Sequence, residues 1–186
     1  MQIKPKIKNL IKNQEGIATF EFRSGKKCNI SHKKTALIYC ENQFGRVDGK
    51  TAAALVRHSE IYTIVGVIDS SLTGKDAGGE LGEEKSGIPI FASLDDALEK
   101  LAYIPDFYIY GKAPLETYIA NNERLMILEA MEKGMDIISG LHQFFSEDPE
   151  FAQVAALKDI RIKDIRKPPP LKNLHLYTGQ ISEVNV

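Results

Sequence analysis

Short apolar segments alternate with amphipathic segments along residues 35–160, and this alternation constrains the fold more than any other feature. The apolar runs are typical of buried strands, because they are short and rich in β-branched and aromatic residues. The predicted strands are Thr35–Cys40, Tyr62–Asp69, Ile88–Phe91, Asp106–Tyr110 and Met135–Ser139. Continuously apolar strands separated by helices form a parallel sheet that is covered on both faces. The sequence therefore predicts an α/β fold, a Rossmann-like, doubly wound and mainly parallel sheet.

Helix signals occupy the segments between these strands. Asp48 is expected to cap a helix that runs to about His58, and Ser93 to cap the helix SLDDALEKL. Pro114 is expected to open a helical region that ends with Glu123–Lys133 before Gly134. Asp148 and Pro149 begin a further predicted helix, to about Lys158.

The flanking segments differ in character from this central domain. Residues 1–34 are rich in lysine, and Ile17–Arg23 with Lys27–Ile30 predicts an N-terminal β-hairpin. The lysines alternate with strand-like apolar residues, which favours a solvated face over nucleic-acid binding. Residues 161–186 contain three successive prolines and then Leu174–Val186, an extended segment with strand-like alternation. We expect this C-terminal segment to lead to a missing second domain or to pack back on the first.

The composition is that of a soluble globular protein, with 43% hydrophobic residues and a net charge of −1. No apolar run approaches the ~18 residues of a membrane helix, and no apolar signal core follows the basic N-terminus. Two cysteines cannot form a disulfide framework, so we expect a cytoplasmic protein. Cys40 ends an apolar strand and is expected to be a core residue.

The segment ENQFGRVDGKT ends in Gly49-Lys50-Thr51, like a phosphate-binding P-loop. The P-loop pattern G-x-x-x-x-G-K-[ST] requires its first glycine at the position of Phe44, whereas Gly45 lies one residue later. We therefore expect no triphosphate loop here.

Polar residues and glycines follow the predicted strands, where ligands bind in open α/β sheets. The candidate ligand-binding residues are Asn42, Gln43, Gly45, Arg46, Lys50, Asp69, Ser70, Ser71, Lys75, Asp76, Gly111, Lys112 and Gly140. His142 is the candidate catalytic residue, as a general base or substrate binder, or else an exposed or structural side chain. We expect no metal site, since His32, His58 and His175 have no companions at metal-ligand spacing.

Several of these candidates have a specific expected role and a simpler alternative. Arg46 and Lys50 flank a helix N-terminus, where they could hold a phosphate or carboxylate, or be solvated cations. Asp69 occupies the position of an acidic ribose-binding residue, although an aspartate there can also be a turn former. The glycine-rich loop Ser70–Gly87 is expected to be a lid whose Lys75 and Asp76 close onto a ligand.

Three blocks of the sequence resemble a known family. They are YCENQFGRVDGKTAAALVRHSEIYTIVGVIDSS, GIPIF and MEKGMDIISGLHQFFSEDPEF, which begin at residues 39, 87 and 131. They are similar to the N-terminal Rossmann-like domain of an uncharacterised bacterial and archaeal family. Its members are labelled NAD-dependent epimerase/dehydratase-like, and some are described as D-glutamate N-acetyltransferases. Full-length relatives carry a C-terminal P-loop domain, which implies that this chain is truncated and inactive alone.

The resemblance implies a domain that binds a small anionic ligand and forms one wall of an active site. The first hypothesis is acyl transfer to a D-amino acid such as D-glutamate. The alternatives are an NAD-dependent epimerase/dehydratase-like oxidoreductase domain and a non-catalytic binding or assembly module. Candidate cofactors are a nucleotide, NAD or acetyl-CoA. The expected partners are the P-loop domain and further copies of the chain as a homo-oligomer, with neither nucleic acid nor membrane.

Overall fold

The protein is described by a computed structural model that covers residues 10–12, 17–21, 27–31, 34–113 and 118–170. The first three ranges form a small antiparallel sheet in the order β1-β2-β3. Its strands are β1 (Leu10–Lys12), β2 (Ile17–Glu21) and β3 (Lys27–Ser31). The pairing of β2 with β3 confirms the predicted hairpin, and β1 is a strand that the sequence analysis did not predict.

The main sheet has six strands, all parallel, in the order β6-β5-β4-β7-β8-β9. They are β4 (Lys34–Tyr39), β5 (Tyr62–Ile68), β6 (Ile90–Phe91), β7 (Phe107–Tyr110), β8 (Asp136–Ser139) and β9 (Ile162–Asp164). The first five correspond to the five predicted strands. The predicted doubly wound parallel sheet is therefore confirmed.

Helices cover the sheet, and a hydrophobic cluster lies on each face. The helices are α1 (Lys50–His58), α2 (Ala77–Glu80), α3 (Leu94–Leu101), α4 (Asn121–Glu132) and α5 (Pro149–Lys158). One cluster joins Ile38 and Ile109 of the sheet to Ala52 of α1. The other joins Tyr108 to Met131 of α4 and Phe151 of α5. Alternate residues of each strand enter opposite clusters, because successive side chains of a strand point to opposite faces.

Two helix caps match the expectations and two helix starts do not. Ser93 accepts the backbone N–H of Asp96 at 3.1 Å, and Asp148 caps α5, as predicted. Asp48 is not an N-cap, because Val47–Gly49 form a 3-10 turn and α1 begins at Lys50. Residues 118–120 are not helical, so the predicted helical region is not continuous, and α4 begins at Asn121; Pro114 lies outside the described residues.

The segment assigned to a spacer contains the last strand of the sheet. Residues Ile162–Asp164 pair in parallel with β8, and the side chain of Lys163 stays exposed. An edge strand of three residues needs only one partner, so charged residues are tolerated in it. The predicted strand Leu174–Val186 lies outside the described residues. Among the helices of the described ranges, none is both long and apolar enough to cross a membrane.

Candidate functional site

The strand order places a topological switch point between β4 and β7. Counted along the chain, the six parallel strands are arranged 3-2-1-4-5-6, the order of dinucleotide-binding Rossmann folds. The chain leaves β4 toward β5 on one side, and later returns to form β7 on the other side. Ligands bind in the crevice that such a reversal opens beyond the carboxyl ends of the strands. This carboxyl edge is therefore the candidate site.

The turn between β4 and α1 is folded tightly against itself. Asn42 and Gly45 adopt left-handed backbone conformations, with φ of 57° and 75°. A Cβ atom added to Gly49 would lie 2.0 Å from the carbonyl oxygen of Gln43, so only glycine fits there. This close approach, rather than a phosphate, explains the glycine of the Gly-Lys-Thr sequence.

Two exposed cations stand where this turn enters the first helix. Arg46 precedes the 3-10 turn and Lys50 is the first residue of α1. Within the ranges for which side chains are described, neither cation lies within 4.0 Å of a carboxylate. The N-terminus of a helix adds partial positive charge. The start of α1 therefore carries two cations that have no ion-pair partner in these ranges, with Asp48 between them in the chain.

Asp69, at the end of β5, is completely buried. Its Oδ2 accepts the backbone N–H of Phe44 at 3.0 Å, and its Oδ1 accepts the backbone N–H and the hydroxyl of Ser71 at 3.1 and 2.6 Å. The carboxylate thus joins the turn after β4 to the turn after β5. The structure places Asp69 in an internal bridge and does not expose it to a ribose.

A second carboxylate, missed by the sequence analysis, joins the same two turns. Glu41 Oε2 accepts the backbone N–H of Ser70 at 2.9 Å, and Glu41 Oε1 accepts the Ser70 hydroxyl. Glu41 Oε1 also accepts the side-chain amide of Asn42 at 3.1 Å. Ser70, Ser71 and Asn42 are brought to the carboxyl edge as expected, but their polar groups already bind neighbouring residues.

The loop Ser70–Gly87, expected to be a lid, contains secondary structure and internal hydrogen bonds. It contains a 3-10 turn at Ser70–Leu72 and the helix α2. An isolated bridge pairs Asp76 with Pro89.

Asp76 organises the second half of this loop. Its carboxylate accepts backbone N–H groups from Gly79, Ser86 and Gly87 at 3.0, 2.9 and 2.8 Å. These bonds lower the pKa of Asp76, the bond from Gly79 most strongly. Lys75 forms an ion pair with Glu80 at 3.0 Å. Both residues expected to close onto a ligand are therefore engaged within the loop.

A buried polar cluster lies beneath the carboxyl end of β7. Glu123, which is 5% exposed, accepts the hydroxyl of Tyr110 at 2.9 Å and the backbone N–H of Ala120 at 3.1 Å. Lys112 donates to the other oxygen of Glu123 at 2.5 Å. A Cβ atom added to Gly111 would lie 2.5 Å from the side chain of Ile38, so glycine is needed for close packing at this strand end. The cluster anchors the chain after β7 to the first turn of α4.

His142 follows β8 and is exposed. Its Nε2 lies 2.7 Å from a guanidinium nitrogen of Arg166, at the end of β9. Because arginine can only donate, Nε2 is the acceptor of this hydrogen bond. Gly140 is half-buried, and a Cβ atom added there would meet open space. The pair His142–Arg166 is a second polar group at the carboxyl edge.

A cavity of about 220 Å³ opens at the same edge between α3 and α4. Its lining combines apolar and polar side chains. The lining residues are Tyr39, Glu41, Ile68, Ala92, Ser93, Asn122 and Met126.

Comparison with known proteins agrees with this geometry. A protein-family model described as "Domain of unknown function (DUF1611_N) Rossmann-like domain" matches residues 70–168, more than half of the chain. The chain belongs to the DUF1611_N family. The DUF1611_N domain also resembles the crystal structure of a DUF1611 family protein from Anabaena variabilis, with 29% identity and a TM-score of 0.68. The match covers 78% of this chain and 40% of that protein. No curated protein matched the chain.

Buried hydroxyl and thiol groups of the DUF1611_N domain are held in their neutral forms. Burial raises the pKa of the Cys40 thiol to about 12, with a smaller contribution from Asp69. Burial also raises the pKa values of Tyr39 and Tyr110, and Glu123 adds to both shifts. Cys40 is a free, fully buried core residue, as expected. None of these three groups is an activated nucleophile, since each resists ionisation.

Several residues of the DUF1611_N site were not found by sequence reasoning. Glu123 lies in the first turn of α4, a position typical of helix-capping glutamates, and this signal could have identified it. Tyr39, Glu41 and Arg166 carry no comparable local signal. In the described ranges, no group of three or more histidine, cysteine, aspartate or glutamate residues is arranged to hold a metal ion.

Proposed function

We propose that the DUF1611_N domain binds a small anionic ligand at its carboxyl edge and contributes one wall of a larger active site. The observation that carries the proposal is the pair Arg46 and Lys50, which have no carboxylate partner in the described ranges and flank the start of α1. A negative ligand there gains from both cations and from the helix dipole. The DUF1611 protein matched by this chain is much longer, since only 40% of it is covered, which supports a second wall.

The activity that we propose for the complete protein is acyl transfer to a D-amino acid such as D-glutamate. This substrate carries two carboxylates that match the two cations, and its amine is the group that receives the acyl chain. With an acyl thioester such as acetyl-CoA, the amine attacks the carbonyl carbon. The thiolate leaves, and the proton lost by the amine balances it. The exposed His142 is our candidate base for this proton, after the substrate displaces Arg166 from its Nε2.

A second candidate is an NAD-dependent epimerase/dehydratase-like oxidoreductase domain, which the strand order favours. Two observations count against it. The turn after β4 lacks G-x-G-x-x-G, and the carboxylate of Asp69 is buried in an internal bridge. We therefore rank this function second.

A thermal-shift panel with NAD, ATP, acetyl-CoA and D-glutamate separates these proposals. A ligand at 100 times its dissociation constant stabilises the folded state by about 2.7 kcal/mol. Stabilisation by D-glutamate or acetyl-CoA that is lost in Arg46→Ala supports the acyl-transfer proposal, and stabilisation by NAD alone that is lost in this variant supports the oxidoreductase. If no compound stabilises the chain, the assembly-module hypothesis becomes the better one.

Arg46→Ala tests the site itself. A charge-assisted hydrogen bond contributes about 1.5–3 kcal/mol, so the variant should weaken the bound ligand roughly ten- to a hundredfold. Thermal stability without ligand should hardly change, because the side chain is exposed. Lys85→Ala, at an exposed lysine of the loop after α2, is the matched control and should leave affinity unchanged. Equal affinity in the Arg46 and Lys85 variants would contradict the proposal.

A further inference from the structure

A second and larger cavity lies at the opposite edge of the main sheet. It has a volume of about 460 Å³, within the range of roughly 300–1,000 Å³ that is usual for small-molecule sites. Its walls come from the amino-terminal ends of five neighbouring strands, β5, β4, β7, β8 and β9. The lining residues are Lys34, Tyr62, Phe107, Asp136, Ile137, Arg161, Ile162 and Lys163. We call this the amino-edge cavity.

The charge of the amino-edge cavity is positive. Three cations line it, and Asp136 is the only acid among its lining residues. Asp136 is already occupied, because it accepts the backbone N–H of Arg161 at 2.9 Å and two guanidinium bonds at 2.9 and 2.6 Å. Lys34 and Lys163 are exposed, and neither forms an ion pair with a carboxylate of the described ranges. An anion entering the cavity would meet two uncompensated ammonium groups.

The wall of the cavity beside Lys34 is aromatic. The rings of Tyr62 and Phe107 meet edge to face, with centroids 5.2 Å apart, and both side chains are only partly buried. The Nζ of Lys34 lies 5.3 Å from the centroid of Phe107, over the face of the ring. A cation above a partly exposed ring marks a surface that also suits a planar π-system.

We propose that the amino-edge cavity binds a planar aromatic anion of the size of a nucleoside monophosphate. The base packs against Phe107 and Tyr62, and the phosphate is held by Lys34 and Lys163. Lys34 exchanges its contact with the ring for one with the phosphate. This site is separate from the carboxyl edge, where the proposed acyl-transfer ligand binds. In a parallel sheet, the amino-terminal and carboxyl-terminal ends of the strands lie at opposite edges.

Isothermal titration of the 186-residue chain with AMP tests the proposal, with adenosine and inorganic phosphate as partial ligands. Stacking and the charge-assisted contacts each contribute about one factor of ten in affinity. AMP should therefore bind at least about tenfold more tightly than adenosine or phosphate. Failure of AMP to bind at millimolar concentration overturns the proposal, as does equal binding of AMP and inorganic phosphate.

Variants locate the binding. The double variant Lys34→Ala/Lys163→Ala should weaken AMP binding about tenfold, and Phe107→Leu, which keeps an apolar side chain, should weaken it several-fold. Far-UV circular dichroism checks that each variant is folded. Lys85→Ala should bind AMP like the wild type. If Arg46→Ala weakens AMP binding and the double lysine variant does not, AMP binds at the carboxyl edge and the inference is wrong, whereas the carboxyl-edge proposal survives.

Discussion

Glu123→Gln probes the buried polar cluster that supports the candidate site. The amide oxygen of glutamine can replace Glu123 Oε2, which accepts hydrogen bonds from Tyr110 and Ala120. The amide NH2 would then face the ammonium of Lys112, whose side chain is only 17% exposed. The substitution therefore keeps the size of the side chain and removes one charge from a partly buried ion pair.

The loss in the free energy of unfolding can be estimated from this geometry. Removing one partner of a fully buried ion pair costs about 3–5 kcal/mol, and a hydrogen bond to a charged group contributes about 1.5–3 kcal/mol. Lys112 can recover some hydration because it is not fully buried. We therefore expect Glu123→Gln to lower the free energy of unfolding by about 2–3 kcal/mol.

Urea unfolding at neutral pH, followed by far-UV circular dichroism, measures this loss. Glu132→Gln is the matched control on the same helix, because its ion pair with Lys158 is exposed and contributes less than about 1 kcal/mol. Adding Lys112→Met to Glu123→Gln should recover part of the loss, since no unpaired cation then remains. The reasoning is refuted if Glu123→Gln and Glu132→Gln are equally stable, or if Lys112→Met makes the first variant still less stable.

Three further predictions concern the scaffold. Asp148→Asn keeps the cap of α5 but loses the ion pair with Arg124, the main cause of the lowered pKa of Asp148. The wild type should be more stable by about 1–2 kcal/mol at neutral pH, and urea titrations should show the difference disappearing as the pH falls below about 3.9, the unfolded-state pKa. In the same assay, Gly49→Ala should lower the free energy of unfolding by at least about 2 kcal/mol, because the added Cβ clashes with Gln43. Gly140→Ala should be tolerated, because its added Cβ meets open space. In a Cys28→Ser background, Cys40 should react with a thiol reagent only after denaturation, because burial raises its pKa to about 12; labelling of the native protein would contradict this.

Strands that are buried on both faces could be predicted from the sequence. Segments such as Thr35–Cys40 and Asp106–Tyr110 leave few polar atoms to satisfy, so composition alone identifies them. Strand β9 escaped prediction because Ile162–Asp164 is an edge strand within a charged segment. Its identity as a strand comes from pairing with β8, which is a non-local contact. The start of α1 was misplaced for a related reason, because Gly49 fits against Gln43 and a 3-10 turn takes the place of an Asp48 cap.

The position of the candidate side chains at the carboxyl edge could be predicted from the sequence. Once the strands were assigned, the residues after each strand had to meet at one edge, as Arg46, Lys112 and His142 do. What each side chain binds could not be predicted. Asp69 and Asp76 are typical ligand-binding residues by type and position, yet backbone N–H groups occupy both carboxylates. These partners lie in turns whose conformation depends on packing.

The occupation of the acidic groups determines which ligands the carboxyl edge can take. Asp69, Glu41 and Asp76 each accept backbone N–H groups, and Glu123 is paired with Lys112. The oxygens engaged in this way have fewer free lone pairs for a ligand, although the carboxylates keep their negative charge. Arg46 and Lys50 have no carboxylate partner in the ranges with described side chains, so both can pair with an anionic group. We therefore expect a ligand of the carboxyl edge to supply negative charge itself. Its affinity should fall as salt is raised, because exposed cations are screened within about 10 Å at ordinary ionic strength.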